Sequence, residues 1–141
     1  MMKPALLPLI LAVLVGCTNV TGDTPRTISS QEAENLSAVR LFSVADTFFS
    51  EAGYACSADA DAGQFRCSRA LRDIYIHQTT AEVNIYPGDE GNKAHRIIAT
   101  RWDEGLIPSE LISNTYANDD VEAFCAYLAS AKVALCSEYK G

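Results

Sequence analysis

Apolar side chains recur every three or four positions between residues 30 and 52, the spacing that places them on one face of a helix. They are Leu41, Val44, Ala45, Phe48 and Ala52. Ser29 and Glu32 have the spacing of a capping box, and Gly53 is a typical helix stop. This pattern predicts a helix over about residues 30–52.

Two segments in the middle of the chain alternate between apolar and polar positions, as half-buried strands do. In residues 81–86 the apolar positions are Ala81, Val83 and Ile85. In residues 96–102 both phases contain apolar residues, so the inward face of that strand stays open. Residues 87–92 are rich in Gly, Pro and Asp and predict a loop that joins the two strands as an antiparallel pair.

A second helix is predicted near the carboxyl end. Asn118 is a typical N-cap, and acidic residues follow it in the first turn, where the helix dipole favours negative charge. The inner face of this helix is predicted to carry Val121, Phe124, Cys125 and Leu128. The order of elements predicts an α+β fold, a small two-layer domain with an N-terminal helix and a C-terminal helix packed on an antiparallel β-sheet.

The first 17 residues have a distinct pattern. Lys3 is followed by the apolar run 5–15, which is shorter than the ~20 residues of a membrane-spanning helix and typical of a secretory signal. The tetrad Leu14-Val15-Gly16-Cys17 comes next. Leader and tetrad together resemble the signal peptide and lipobox of bacterial lipoproteins. The resemblance implies cleavage before Cys17, a thioether-linked diacylglycerol on its sulfur, and acyl chains that hold the protein on a membrane.

The resemblance ends at Cys17, and no family is recognised in residues 18–141. Thr18 stands where an aspartate retains lipoproteins of enteric-type bacteria in the inner membrane, so the resemblance implies the outer membrane, facing the periplasm. Residues 18–30 are polar and predict a flexible tether. We therefore expect a signal peptide at 1–16, a lipidated cysteine with its tether at 17–30, and a single globular domain at 31–141.

Four cysteines remain after Cys17, an even number that predicts two disulfides in an oxidising compartment. A turn-forming segment at 59–63 places Cys56 opposite Cys67 in a hairpin, so these two are expected to pair. In one continuous helix Cys125 and Cys136 would lie roughly 16 Å apart. Either that helix breaks near residues 130–134 and the two pair locally, which we favour, or the pairing crosses between hairpin and helix.

The charge of the chain limits its partners. It has 11 Lys and Arg against 18 Asp and Glu, a formal charge of −7, and loss of Lys3 with the leader makes it −8. Nucleic acid is excluded as a partner, because its binding depends on basic residues that neutralise phosphates. Electrostatic docking on anionic lipid is also disfavoured, so the lipid on Cys17 is expected to anchor the protein. A cationic protein partner is compatible with this charge.

The sequence predicts no catalytic set, no metal site and no cofactor. His77 and His95 are expected to be half-exposed strand residues that lie too far apart to share a site. Glu82, Asp103 and Glu104 could meet at one edge of the sheet, but we expect them to be solvated surface. The acidic positions of 59–63 resemble the start of a calcium loop but lack its later glycine and glutamate.

Tyr86 and Trp102 are the candidate binding residues. If both face outward from the sheet they form an aromatic patch of the kind found at interfaces. Packing in the core or at an edge is the favoured interpretation. The expected function is a non-enzymatic envelope lipoprotein that binds another envelope protein or has a structural role. The alternative is an inhibitor or ligand-binding module that acts on a cationic partner such as a hydrolase.

Overall fold

The computed structural model describes residues 17–31, 36–59, 61–88 and 91–139, so the predicted signal peptide lies outside the described residues. Within them the chain forms strands, two α-helices and a short 3₁₀ helix at Ser109–Leu111. The strands and α-helices are β1 Cys17–Gly22, β2 Arg26–Ser30, α1 Ala38–Glu51, β3 Ala55–Asp59, β4 Gln64–Ile74, β5 His77–Gly88, β6 Gly91–Gly105, α2 Asp119–Ser130 and β7 Ala134–Glu138. Two helices on an antiparallel sheet with two disulfides confirm the predicted α+β class. Neither helix is the terminal element, because two strands precede α1 and β7 follows α2.

The seven-stranded sheet is organised around its longest strand, β6. Its strand order is β3-β4-β5-β6-β2-β7, with β1 also paired to β6. On one side β6 pairs with β5 along its length. On the other side it pairs with β2 over residues 94–97 and with β1 over residues 100–105. β6 therefore joins β3, β4 and β5 on one side of the sheet to β1, β2 and β7 on the other.

The core lies between the helices and one face of the sheet. Ala81, Val83 and Ile85 are fully buried, which confirms the inward phase predicted for β5. On β6 the odd positions, including Ile97 and Ala99, face the same way. The two helices meet where the rings of Phe49 and Phe124 lie 5.0 Å apart. Burial of such large rings is the main favourable contribution to the stability of this core.

The predicted start of the first helix is wrong. Ser29 lies in β2, where its Cα partners are Ala94 and Leu135, so its backbone is committed to the sheet. The helix begins after Ser37, whose hydroxyl accepts a hydrogen bond from the Arg40 amide at 3.2 Å. Glu32 lies outside the described residues. The predicted stop is confirmed, because Gly53 follows the helix with a φ of +91°.

The predicted flexible tether is also wrong. Residues 17–22 and 26–30 are strands, and the Asp23 amide between them donates to the Ala99 carbonyl at 2.9 Å. The reason is tertiary: β6 is longer than any one neighbour on this side, and an open strand edge binds any segment that can extend beside it. Threonine-rich segments extend readily. The fold therefore includes residues 17–22 and 26–30 and does not begin at residue 31.

Both predicted disulfides are confirmed. Cys56 lies opposite Cys67 in the β3–β4 hairpin, with 4.1 Å between their Cα atoms. Cys125 and Cys136 pair locally, with 5.6 Å between their Cα atoms. This pairing is possible because α2 ends at Ser130 and the chain then reverses into β7. The break in the helix falls at the predicted place.

Candidate functional site

The position of Cys17 defines one end of the sheet. Cys17 is the first residue of β1, and its Cα partner is Gly105 at the end of β6. Gly105 also pairs with His77, the first residue of β5, directly after the turn at Tyr75 and Ile76. We call this end of the sheet, formed by Cys17, Gly105, His77 and the 75–76 turn, the anchor edge. It brings the predicted lipid attachment residue beside the β4–β5 turn.

Gly105 allows the chain to leave β6 in close contact with that turn. Its φ is +144°, and a Cβ at this position would clash with the Ile76 carbonyl oxygen and with Nδ1 of His77. The next amide, that of Leu106, donates to the Ile76 carbonyl at 2.9 Å. The segment after β6 is therefore held against the 75–76 turn by its backbone.

A buried polar network lies behind the anchor edge on the inner face of the sheet. Its centre is Asp103, which is only 4% exposed. Oδ1 of Asp103 accepts hydrogen bonds from the Thr79 hydroxyl at 2.7 Å and from Nε2 of His77 at 3.3 Å. Oδ2 accepts from Nε of Arg101 at 2.9 Å. Both carboxylate oxygens are thus satisfied inside the protein.

The network stabilises the ionised form of Asp103. Burial by itself raises the pKa of this carboxyl group. The hydrogen bonds from Thr79, Arg101 and His77, together with the positive charge of Arg101, outweigh burial and hold the pKa below its ordinary value of 3.8. Asp103 is therefore a carboxylate at neutral pH.

Arg101 links this network to the connection between β6 and α2. Its terminal nitrogen donates to the Ser113 carbonyl, and its guanidinium lies 5.5 Å from the ring centre of Tyr116. A cleft of about 350 Å³ lies between the network and this connection, lined on its apolar side by Leu71, Ile107, Leu111 and Ile112. Nδ1 of His77 is buried without a hydrogen-bond partner among the described residues and packs near Gly105. The arrangement holds the 106–113 segment against the network, whose His77, Thr79, Arg101 and Asp103 side chains line the other side of the cleft.

The expectation that both histidines are half-exposed is wrong, because His77 and His95 are both buried. Their expected separation is seen. His77 pairs with Gly105, and His95 lies ten positions before Gly105 on β6. Ten positions correspond to roughly 33 Å along a strand. Nε2 of His95 donates to the Leu36 carbonyl at 3.1 Å. Each histidine therefore belongs to a different part of the core.

Glu82, Asp103 and Glu104, which were expected to be solvated surface, do not meet at one edge of the sheet. Glu82 lies on the outer face, where it forms an ion pair with Arg66 at 3.1 Å, and Glu104 is exposed. The expectation that Asp103 is solvated surface is wrong, because this residue is buried. A signal for this was present, because Asp103 continues the inward phase of Ala99, and Thr79 and His77 continue that of Ala81.

Tyr86 and Trp102 both lie on the outer face of the sheet and are half-buried. Tyr86 pairs with Arg96, so Trp102 is six positions further along β6, roughly 20 Å away. The Trp102 indole N–H donates to the Thr100 hydroxyl at 3.1 Å. The structure therefore places the two rings on the outer face, half-buried, and does not bring them together as one patch.

No helix in the described ranges is long and apolar enough to cross a membrane. Among the same residues, no three His, Cys, Asp or Glu side chains are arranged to hold a metal ion. Comparison of the chain with models of protein families, with curated proteins and with solved structures finds no match. The functional argument therefore depends on the geometry of this chain.

Proposed function

We propose that this protein is a lipoprotein of the bacterial cell envelope, anchored through acyl chains on Cys17. It resides on the outer membrane, facing the periplasm. Its role is to bind or organise another envelope protein, and it is not an enzyme.

This proposal is supported mainly by one observation, which is that Cys17 takes part in neither disulfide. The two disulfides use Cys56, Cys67, Cys125 and Cys136, and Cys17 belongs to neither. It stands at the first residue of β1, directly after a leader that ends in Leu14-Val15-Gly16. Disulfides are typical of exported proteins, so the four paired cysteines and the fifth both fit export and lipidation.

The buried acid–histidine pair fits a structural role better than catalysis. A catalytic base has to reach a bound substrate, but both oxygens of Asp103 already accept hydrogen bonds inside the protein. Nδ1 of His77 packs near the Gly105 backbone. These contacts support a structural role for the pair.

The anchor is tested on the protein isolated from its own cells. Mass spectrometry of the amino-terminal peptide should find Cys17 as the first residue, carrying a diacylglycerol. In Cys17→Ser the peptide should instead retain the leader, because the lipid-dependent cleavage does not occur. A native protein that starts elsewhere, or that starts at an unmodified Cys17, contradicts the proposal.

A leader exchange provides the matched control. When residues 1–17 are replaced by the cleavable leader of a soluble periplasmic protein, the domain should fold and leave the membrane fraction. The native protein should stay with membranes after an alkaline carbonate wash. If the exchanged form remains equally attached, the lipid is not the anchor.

Crosslinking on intact cells identifies the partner and separates the two binding roles. An envelope complex that survives several hundred millimolar salt supports an assembly role. The alternative is an inhibitor or ligand-binding module for a cationic partner such as a hydrolase, which the formal charge of −7 favours. Capture of a basic enzyme that is lost at the same salt concentration supports that alternative.

A further inference from the structure

The anchor edge carries a group of large apolar side chains that are exposed. Tyr75, at the tip of the β4–β5 turn, is 106% exposed, and its neighbours Ile74 and Ile76 are exposed as well. Leu106, which follows β6, is 59% exposed. Isolated exposed apolar residues are common, but several together at one place mark an interaction surface.

These side chains lie together at one end of the sheet because the backbone joins the two segments. The Leu106 amide donates to the Ile76 carbonyl at 2.9 Å, and Gly105 pairs with His77. The Arg101 contact with the Ser113 carbonyl holds the following segment, which exposes Leu111. The surface is therefore built on ordered backbone and on the buried Asp103 network.

The same edge contains the predicted lipid attachment residue. Cys17 pairs with Gly105, and Gly105 pairs with His77. Two strand spacings separate Cys17 from His77, which is about 10 Å between backbones. Because β1 starts at Cys17, no free segment separates the lipidated residue from the fold. Acyl chains on Cys17 thus bring the bilayer to the side chains of the 75–76 turn.

The chemistry of the surface fits a bilayer interface. Isoleucine and leucine side chains enter the boundary between headgroups and acyl chains, where interfacial segments bury about 5–10 Å of their apolar face. A tyrosine ring suits the headgroup level, because one end of it is apolar and the other polar. Arg72, Asp73 and Glu104 are exposed near this edge, a mixed set that gives no strong attraction to anionic lipid. Contact with the membrane is therefore expected to be apolar and insensitive to salt.

We infer that Ile74, Tyr75, Ile76 and Leu106 form a surface that inserts into the bilayer holding the lipid of Cys17. The inference rests on the proposed lipid anchor and goes beyond it, because it fixes the orientation of the domain. The 75–76 turn points into the membrane, and the opposite end of β6, with the start of α1, is directed away from it.

Tryptophan probes test this orientation on the acylated protein. Trp102 is the single tryptophan, so Trp102→Phe supplies a silent background. Tyr75→Trp and Leu106→Trp place the probe on the surface. Val39→Trp is the matched control, since Val39 is also well exposed, at 67%. It lies at the start of α1, at the other end of β6, where the Leu36 carbonyl accepts a hydrogen bond from His95.

Each purified protein is reconstituted into phosphatidylcholine vesicles whose acyl chains carry bromine near the headgroup. We expect Tyr75→Trp and Leu106→Trp to lose roughly half of their fluorescence, as an interfacial residue would. Val39→Trp should keep its intensity, and raising the salt concentration should change none of the three.

The other outcomes overturn the inference in distinguishable ways. Unquenched probes at both surface positions in an acylated protein reject the membrane surface and leave the anchor intact, and the patch would then belong to a protein partner. Equal quenching of all three probes rejects the stated orientation. Mass spectrometry of the same sample measures the acylation of Cys17 separately. An unmodified Cys17 contradicts both the proposed lipid anchor and this inference.

Discussion

The two ends of β6 each bury a histidine on the inner face of the sheet, but they do so in opposite surroundings. At the helix-covered end His95 donates to a neutral backbone carbonyl, that of Leu36, and lies beside the Phe42 ring. At the anchor edge His77 donates to the carboxylate of Asp103. One end is therefore stabilised mainly by apolar packing, and the other by a charged network covered by a connecting segment.

The difference shows which part of the sheet the helices can reach. The buried side chains of α1 and α2 cover the middle and the His95 end. At the anchor edge the 106–117 segment covers the sheet, and the buried polar side chains of His77, Thr79 and Asp103 hydrogen-bond to one another. The same edge exposes Tyr75 and Leu106, so its stability and its proposed membrane contact depend on different residues.

The largest effect is expected at the helix-covered end. Phe49→Ala removes a fully buried ring that contacts both Phe124 and Tyr54, and such a cavity costs about 4 kcal/mol. Urea unfolding measures it as a lower free energy of unfolding. Phe49→Leu, which keeps most of the volume, should lose less than half as much. An equal loss in the two variants would contradict a packing origin.

Asp103→Asn should have the next largest effect, at the anchor edge. It leaves the buried His77 and the half-buried Arg101 beside a neutral amide, and breaking a buried charged contact costs about 3 kcal/mol. Glu104→Gln, the exposed neighbour on β6, should change the free energy of unfolding by less than about 0.5 kcal/mol. If the two substitutions are equivalent, the network does not stabilise this end.

A comparison of the native protein with Asp103→Asn also gives a prediction for pH. The pKa of Asp103 is lower in the folded chain than its ordinary value of 3.8, so its contribution is complete above that pH and is lost as the pH falls below it. Native protein should therefore lose more stability than Asp103→Asn between pH 5 and the acid limit, measured by urea unfolding at each pH. Parallel curves would show that other carboxylates cause the acid sensitivity.

Removal of one disulfide should affect the helix-covered end alone. Cys125→Ala with Cys136→Ala frees β7 from α2 and should cost about 2 kcal/mol, since the closed loop is short. Hydrogen exchange should become faster at Leu135 and Ser137 of β7. Amides of Thr79 and Asp103 should keep their protection until global unfolding, and simultaneous loss at both ends would show that the ends are not independent.

The smallest effect on stability is expected from the exposed surface. Tyr75→Ser with Ile76→Ser removes side chains that bury little surface on folding. The free energy of unfolding in solution should therefore change by less than about 0.5 kcal/mol. On vesicles the acylated variant should lose the quenching of a Leu106→Trp probe. A large loss of stability in solution would mean that the turn residues belong to the core.

Local patterns predicted the elements whose signals are short-range. The Cys56–Cys67 hairpin, the α2 cap at Asn118, whose side chain accepts from the Val121 amide, and the stop at Gly53 are all confirmed. Each depends on geometry within a few residues. The inward phase of β5 was predicted from Ala81, Val83 and Ile85, and extending it by four residues would have shown His77 and Thr79 to be buried.

The wrong predictions concern segments whose structure depends on distant partners. Residues 18–30 have the composition of a tether, but β6 provides them with an edge to pair with. Ser29 has the spacing of a helix cap, yet pairing with Ala94 and Leu135 uses its backbone. Strand formation is settled by such pairing more than by local preference, and no short window of sequence contains that information.

By itself, the sequence determined the lipobox resemblance of Cys17, the pairing of Cys56 with Cys67, the α+β class and the acidic charge, because each follows from residue types and short spacings. Only the tertiary structure decided that β1 and β2 belong to the sheet, that Asp103 is buried with His77, and that Tyr75 lies at the same end of the sheet as Cys17. These depend on the register of β1, β5 and β6, which brings together residues almost ninety positions apart. Long-range strand pairing is the physical reason, since its hydrogen bonds join segments that have no contact along the chain.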